Sequence, residues 1–222
     1  MQVQSGGFEL IIKELDYSLM LLPQKAIYIH KYRALLIADP HFGKAAHFRK
    51  AGIPISEHLH DDDLQKISQL IIQCEPNEIY FLGDLFHSDL NESWWGLEAF
   101  IDLFPKVNFH LVKGNHDILP KACYTSGKWI IHEETLEIEN LLLSHEPLLE
   151  VPKSKINLCG HIHPGISLRG KGRQKVTLPC FFYCQQRILL PAFGRFTGLD
   201  VLSCTKSDQA FVIADDMVIQ IN

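Results

Sequence analysis

Along the first third of the chain, short apolar runs alternate with turn-forming residues. Leu10–Ile12, Leu19–Leu22, Ala26–His30 and Ala34–Ala38 read as strands, with Lys31-Tyr32-Arg33 as a hairpin turn between the last two. From Glu57 to Cys74 the period changes. Leu64, Ile67, Leu70, Ile71 and Cys74 recur at spacings of three and four, the apolar stripe of one helix. Ser56 is placed to cap that helix, and Asp61–Asp63 suit its early turns through the helix dipole. A strand at Glu78–Leu82, a helix at Trp94–Phe104 stopped by Pro105, and a strand at Val107–Val112 follow. After these come only strands: Trp129–Ile131, Leu141–Leu143, Ile156–Leu158, Val176–Tyr183, Ile188–Leu190 and Phe211–Ile221, the last broken by a turn at Asp215-Asp216. Helices fall in the first half and strands dominate the second. The pattern predicts a mixed α/β domain with two packed sheets and helices outside.

Composition sharpens this picture by exclusion. The 222 residues are 46% hydrophobic and 21% charged, enough apolar material for a core without disulfide or metal staples. No repeat, low-complexity tract or Ser/Gly linker divides the chain, so residues 1–222 are read as a single domain. The net charge of −5, from 21 basic and 26 acidic residues, excludes binding to nucleic acid by bulk positive charge alone. No apolar run is long enough for a membrane span, and the N-terminus lacks the basic start and apolar run of a secretory signal. A cytoplasmic protein with reduced thiols is the expectation for its six cysteines. Cys180 and Cys184 do not share a metal ion on a strand, since four residues at roughly 3.3 Å each separate them by about 13 Å.

The candidate chemistry lies where strands end. Asp39 and His41 follow the strand Ala34–Ala38. Gly83-Asp84, with His87 beyond, follows Glu78–Leu82. Gly114-Asn115-His116-Asp117, Ser144-His145 and Gly160-His161-Ile162-His163 follow the next three strands in the same way. Each motif alone is an ordinary turn. Five in succession, each on a strand end, form a pattern, because ligand sites in α/β sheets collect beyond the carboxyl ends of strands. Carboxylate, imidazole and amide oxygen together suit manganese, iron or zinc rather than calcium. Asp39, His41, Asp84, Asn115, His145, His161 and His163 supply enough ligands for two ions if one carboxylate bridges.

The ordered set Asp-x-His, Gly-Asp, Gly-Asn-His-Asp, His and Gly-His-x-His resembles the calcineurin-like metallophosphoesterases over Asp39 to His163. A narrower likeness comes from the segments Leu36–Ala45, Phe48–Pro54, Leu82–Ser88, Leu190–Gly194 and Phe196–Gly198. These are similar to the bacterial ligase-associated DNA damage response endonucleases. Two positions depart from the pattern. Pro40 stands where an aliphatic residue is usual and is expected to hold Asp39 extended. Arg195 stands where a small residue is expected, which points to altered substrate contacts.

The resemblance implies a four-layer α-β-β-α sandwich, two mixed sheets flanked by helices. It implies one ion held by Asp39, His41, Asp84 and His163, and another by Asp84, Asn115, His145 and His161, with Asp84 bridging. The ions are expected to be manganese, with iron or zinc also compatible. It implies a phosphodiesterase or endonuclease acting on DNA in repair, with a DNA ligase, a helicase and an exonuclease-like protein as partners. The alternative is the same chemistry on a nucleotide or another small phosphoester. A metal-bridging hydroxide would attack phosphorus in line. Two divalent ions against Asp39, Asp84 and hydroxide leave the centre at a charge of about +1, which favours a phosphodiester. His116, not needed as a ligand, is the candidate general acid. Asp117 either orients His116 or caps a helix before Ile118. His87 is read as supporting the ligands.

Two basic clusters border the metal loops. Lys44, His47, Arg49 and Lys50 continue the first, and Lys44, Arg49 and Lys50 are the candidate substrate-binding residues. Arg169, Lys171, Arg173 and Lys175 follow the last and read equally as a solvated loop. Trp94 and Trp95 are read as packing inside rather than stacking on bases.

Overall fold

The computed structural model of the chain describes residues 7–12, 15–44, 59–86, 90–125, 127–170, 172, 174–195 and 197–221. The predicted Ser56 cap, and the candidate residues His47, Arg49, Lys50, His87, Lys171 and Arg173, lie outside them.

Two mixed sheets are built from successive stretches of sequence. The first runs β1 (Phe8–Ile11), β2 (Ser18–Leu22), β3 (Ala26–Ile29), β4 (Ala34–Ala38), β5 (Glu78–Leu82), β6 (Asn108–Val112) and β7 (Trp129–His132), in that spatial order. β1 to β4 pair antiparallel, β4 to β7 parallel. Helix α1 (Leu59–Cys74) lies between β4 and β5, α2 (Glu92–Asp102) between β5 and β6, and the short α3 (Lys121–Tyr124) between β6 and β7. Each parallel strand must be re-entered from its amino end, so the carboxyl ends of β4, β5 and β6 share one edge.

The second sheet takes β8 (Leu136–Ile138), β9 (Leu141–Ser144), β10 (Ile156–Cys159), β11 (Pro164–Arg169), β12 (Lys175–Cys184), β13 (Arg187–Leu189), β14 (Asp200–Leu202), β15 (Gln209–Ala214) and β16 (Met217–Ile221). Its order is β14-β11-β12-β13-β10-β9-β8, with β15 pairing β12 and β16. β9, β10 and β13 are parallel, which sets the ends of β9 and β10 side by side.

Side chains alternate across each strand. Leu36, Leu143, Leu158, Phe181 and Phe211 meet between the sheets. The opposite face of the first sheet, with Ile37, Phe81 and Leu111, is covered by Ile67 and Leu70 of α1 and by Trp94 and Leu97 of α2. Each such side chain taken from water stabilises the fold by about 1.5–3 kcal/mol. The outer face of the second sheet carries Cys159, Cys180, Phe182, Leu189 and Val212, packed with Ile166, Leu168, Leu178 and Leu202 of β11, β12 and β14. The described helices all lie on the first sheet. The architecture is the expected α/β sandwich of two mixed sheets, with the outer face of the second sheet closed by strands among the described residues.

Local differences from the pattern have local causes. α2 starts two residues before Trp94, because the Asn91 side chain accepts the Ser93 amide at 2.9 Å and caps the helix. The hairpin turn between β3 and β4 is a 3-10 turn, His30–Tyr32, closed by Arg33 with φ of 48°. No described helix is long and apolar enough to cross a membrane.

Candidate metal centre

The five strand-end loops meet where the two sheets present their carboxyl ends. Two groups of ligand atoms form there, each with its atoms within 4.8 Å of one another: Asp39, His41 and His163 in one, Asp84, His145 and His161 in the other. Asp84 stands between them. Its Oδ2 lies 3.6 Å from Nε2 of His41, and its Oδ1 lies 3.4 Å from Nε2 of His145. Asn115 joins the second group, its Oδ1 3.0 Å from Nε2 of His145. All seven residues read as ligands from the sequence are thus brought together.

The backbone is bent to do this. Asp39, His41, Asp84, His161 and His163 take φ of 50°, 48°, 49°, 68° and 53°, in the left-handed region. Asp and His tolerate that region better than most residues, and such strain persists only where surrounding structure holds it. Asp39 is therefore not extended, as Pro40 was expected to make it. The proline only bars the right-handed helical region. The loop is fixed instead by contacts to neighbours: the His161 amide donates to Asp39 Oδ2 at 2.9 Å and the Gly194 amide to the Asp39 carbonyl at 3.2 Å. Close approach also dictates glycine here. A Cβ on Gly83, whose φ is 76°, would enter the His145 ring, and one on Gly114 would strike the Asp84 backbone.

The convergence of these side-chain atoms decides what the groups suit. Nδ1 of His145 lies 3.1 Å from the Leu82 carbonyl oxygen, which can only accept, so Nδ1 carries the proton. Nε2 of the same ring lies 3.0 Å from both Asn115 Oδ1 and His161 Nδ1, so three atoms of metal-ligand type converge on one point. Asp39 Oδ1 and His163 Nε2 are buried without a hydrogen-bond partner and face each other at 3.7 Å. Carboxylate, imidazole and amide atoms that converge this closely are spaced for a shared cation, given ligand bonds of roughly 2.0–2.2 Å. The donor set fits two divalent ions.

The sequence profile of the calcineurin-like phosphoesterase family matches residues 32–161, more than half of the chain. This chain is a calcineurin-like phosphoesterase. Nuclease MPE of Pseudomonas putida is a structural neighbour at TM-score 0.79 and 27% identity, covering 96% of this chain and 100% of that one. YfcE, a phosphoesterase from E. coli, matches at TM-score 0.45 and 15% identity, over 85% of this chain and 97% of that one. No curated protein matches. The chain is accordingly a metal-dependent phosphoesterase, a hydrolase.

Around the phosphoesterase centre, His116 is exposed at the mouth, its ring centroid 5.8 Å from that of His41, and its amide donates to Asp84 Oδ1 at 3.0 Å. Asp117 is not a helix cap, since α3 begins at Lys121 behind Pro120. Its buried carboxylate accepts the amides of Leu85 at 2.9 Å, Phe86 at 3.2 Å and Gly114 at 2.8 Å, binding the β5 and β6 loops together. Burial pushes its carboxyl up to about 6, with the amides of Gly114 and Phe86 opposing. Lys44 is half-buried, and burial lowers its ammonium while the Asp84 charge opposes.

Asn157 is a residue the motif reading passes over. It is fully buried within β10, donates to the Leu142 carbonyl at 2.9 Å and Ser144 Oγ at 2.8 Å, and accepts the Leu148 amide at 3.0 Å. It anchors the chain on both sides of His145. The one available signal was a lone amide inside the apolar strand Ile156–Cys159. Of the tryptophans, Trp94 is buried against Phe86, Tyr124 and Trp129, whereas Trp95 is 57% exposed. Arg169 and Lys175 pair at the far end of the β11–β12 hairpin, five residues and about 17 Å along the strand from Pro164. That distance favours the solvated-loop reading.

Proposed function

We propose that this phosphoesterase is a manganese-dependent phosphodiesterase and endonuclease acting on DNA in repair, in the cytoplasm. The observation that carries the reading is the likeness over 96% of the chain to a protein described as a nuclease. The joined ligand groups support it. Asp39, His41, Asp84 and His163 would hold one ion, and Asp84, Asn115, His145 and His161 the other. Bound there, the ions supply Lewis-acid stabilisation of the phosphoryl oxygens and a nucleophilic hydroxide at neutral pH.

The chain's own residues do the rest. Asp84 turns one oxygen to each group and so fixes their separation. The Leu82 carbonyl locks His145 in the tautomer whose Nε2 is free to bind. His116, tied through its amide to Asp84 Oδ1, holds an exposed ring at the mouth and donates a proton to the leaving oxygen. Asp117 is a positioning residue that keeps the Gly114–His116 turn against the β5 loop. Lys44 meets a phosphate oxygen, with Arg49 and Lys50 of the same segment taking neighbouring phosphates. A ligase, a helicase and an exonuclease-like protein are its partners in this reading.

The test runs labelled single-stranded DNA, a chromogenic phosphodiester and a chromogenic monoester side by side with added manganese, for wild type and His116→Ala. Internal cleavage of DNA by wild type, lost in the variant with metal content retained, is the expected result. Monoester turnover with intact DNA would overturn the reading in favour of a small-molecule phosphatase.

A further inference from the structure

Outside the metal centre, a cluster of cations borders its first loop. After β13 the chain crosses to the end of β4, where the Phe193 amide donates to the Ala38 carbonyl at 2.9 Å and the Gly194 amide to that of Asp39 at 3.2 Å. Three cations gather on this crossing segment. Lys25, in the β2–β3 turn, donates to the Ala192 carbonyl at 2.9 Å. Lys66 of α1 sets its ammonium 4.3 Å from the centroid of the Phe193 ring. Arg195 follows Gly194 in the chain and reaches Asp62 of α1 at 2.8 Å. Lys66 in turn meets Asp63 at 3.2 Å.

Among the described residues of this corner, three cations stand against two carboxylates, an excess of one positive charge (3 − 2) on a chain whose net charge is −5. Burial lowers the Lys25 ammonium to about 8, with Lys66 and Arg195 acting in the same sense and Asp63 opposing. Holding like charges together costs stability. The cost is offset when an anion is received, and this corner adjoins the Asp39 loop through backbone hydrogen bonds. Arg195 is half exposed, so the corner opens to solvent.

We propose that Lys25, Lys66 and Arg195 form a phosphate subsite, which takes a backbone phosphate of a DNA strand flanking the one at the metal centre. The assignment rests on the nuclease reading for its ligand, and it gives Arg195 a task of its own. Asp62 tempers the subsite by sharing the guanidinium.

The experiment is equilibrium binding of a fluorescent single-stranded DNA oligonucleotide, in chelator to prevent cleavage, over a salt series. Arg195→Ala is expected to weaken binding about fivefold at low salt and to flatten the log K against log salt slope by roughly 0.7, one phosphate contact on a single strand. Arg195→Lys keeps the slope. Asp62→Asn moves affinity the other way, tightening it about twofold, because it frees the guanidinium. A pair that only fastens the segment to α1 would make Arg195→Ala and Asp62→Asn fail alike in melting temperature with the slope intact, and that result overturns the subsite. So does a wild type that does not bind the oligonucleotide. Cleavage is measured separately with manganese. Slope loss without cleavage keeps the subsite and removes the nuclease reading, whereas cleavage with an unaltered slope does the reverse.

Discussion

Two histidine–carboxylate clusters in this molecule use the same residue types at the same spacing and come to opposite ends. On the first sheet, His110 Nε2 lies 2.7 Å from Glu78 Oε2, and His110 Nδ1 lies 3.0 Å from His132 Nε2. Glu78 also accepts from the Asn108 amide at 3.0 Å. Each contact has a proton to share, so the chain Glu78–His110–His132 is closed and ties β5, β6 and β7 side by side. At the metal centre, His145 donates to the Leu82 carbonyl through Nδ1, and its Nε2 meets Asn115 Oδ1 and His161 Nδ1 at 3.0 Å, beside Asp84 Oδ1 at 3.4 Å. Distances alone do not separate a structural cluster from a metal site; the number of ligand atoms that converge does, three residues in each of two adjoining groups here. Strained backbone also marks the difference, since five of the seven proposed ligands have positive φ, and neither Glu78, His110 nor His132 does.

The largest effect expected from this contrast is at Asp84. Asp84→Asn removes the carboxylate between the two groups and should lower turnover more than about 10³-fold. Bound manganese, counted by mass spectrometry, should fall with it; two ions per chain in the variant would break the assignment. His116→Ala should cost about 10²-fold or more in kcat with both ions retained, checked by the same count beside a single-turnover assay. If metal leaves with His116, it is a ligand and not the proton donor.

Asn157→Leu tests the support beneath the centre. It leaves the Leu142 carbonyl and the Leu148 amide without their partner, and about 2 kcal/mol of stability should be lost in denaturant titration. Metal affinity should drop about 10- to 100-fold as the His145 loop loosens. An unchanged affinity would show that the loop holds itself.

The smallest effect belongs to the closed cluster. Burial, with His110 beside it, holds the His132 imidazole below its usual range. The folded protein therefore binds fewer protons there than the unfolded chain as pH drops below about 6.5, and stability is lost on acidification through that window. His132→Gln should show a shallower fall in melting temperature from pH 7 to pH 5 than wild type, with two ions still bound. Loss of an ion on this substitution would mean that the closed cluster also holds metal.

The alternation of apolar residues determined most strands, the α1 stripe and the two-sheet class, because burial on one face needs only a local period. It also determined which residues are candidate ligands, since each of the five motifs sits where an apolar run stops. Short strands such as β8, β11 and β14 escaped, because three to six residues with mixed burial leave little periodic signal. Trp94 and Trp95 are indistinguishable in composition, and only the cap at Asn91 sets the helix phase that buries one and exposes the other. Asp117 could equally have oriented a histidine or capped a helix by its sequence alone. The tertiary structure gave its carboxylate to three amides on two loops, because amides withdrawn from water need an acceptor. The same holds for the centre itself. Sequence placed seven candidate ligands on five loops, but only parallel pairing of β4 with β5, of β5 with β6 and of β9 with β10, across two packed sheets, sets those loops on one edge, where their side-chain atoms converge. Pairing partners far apart in the chain are chosen by the packed core as a whole, and that is information no local period carries.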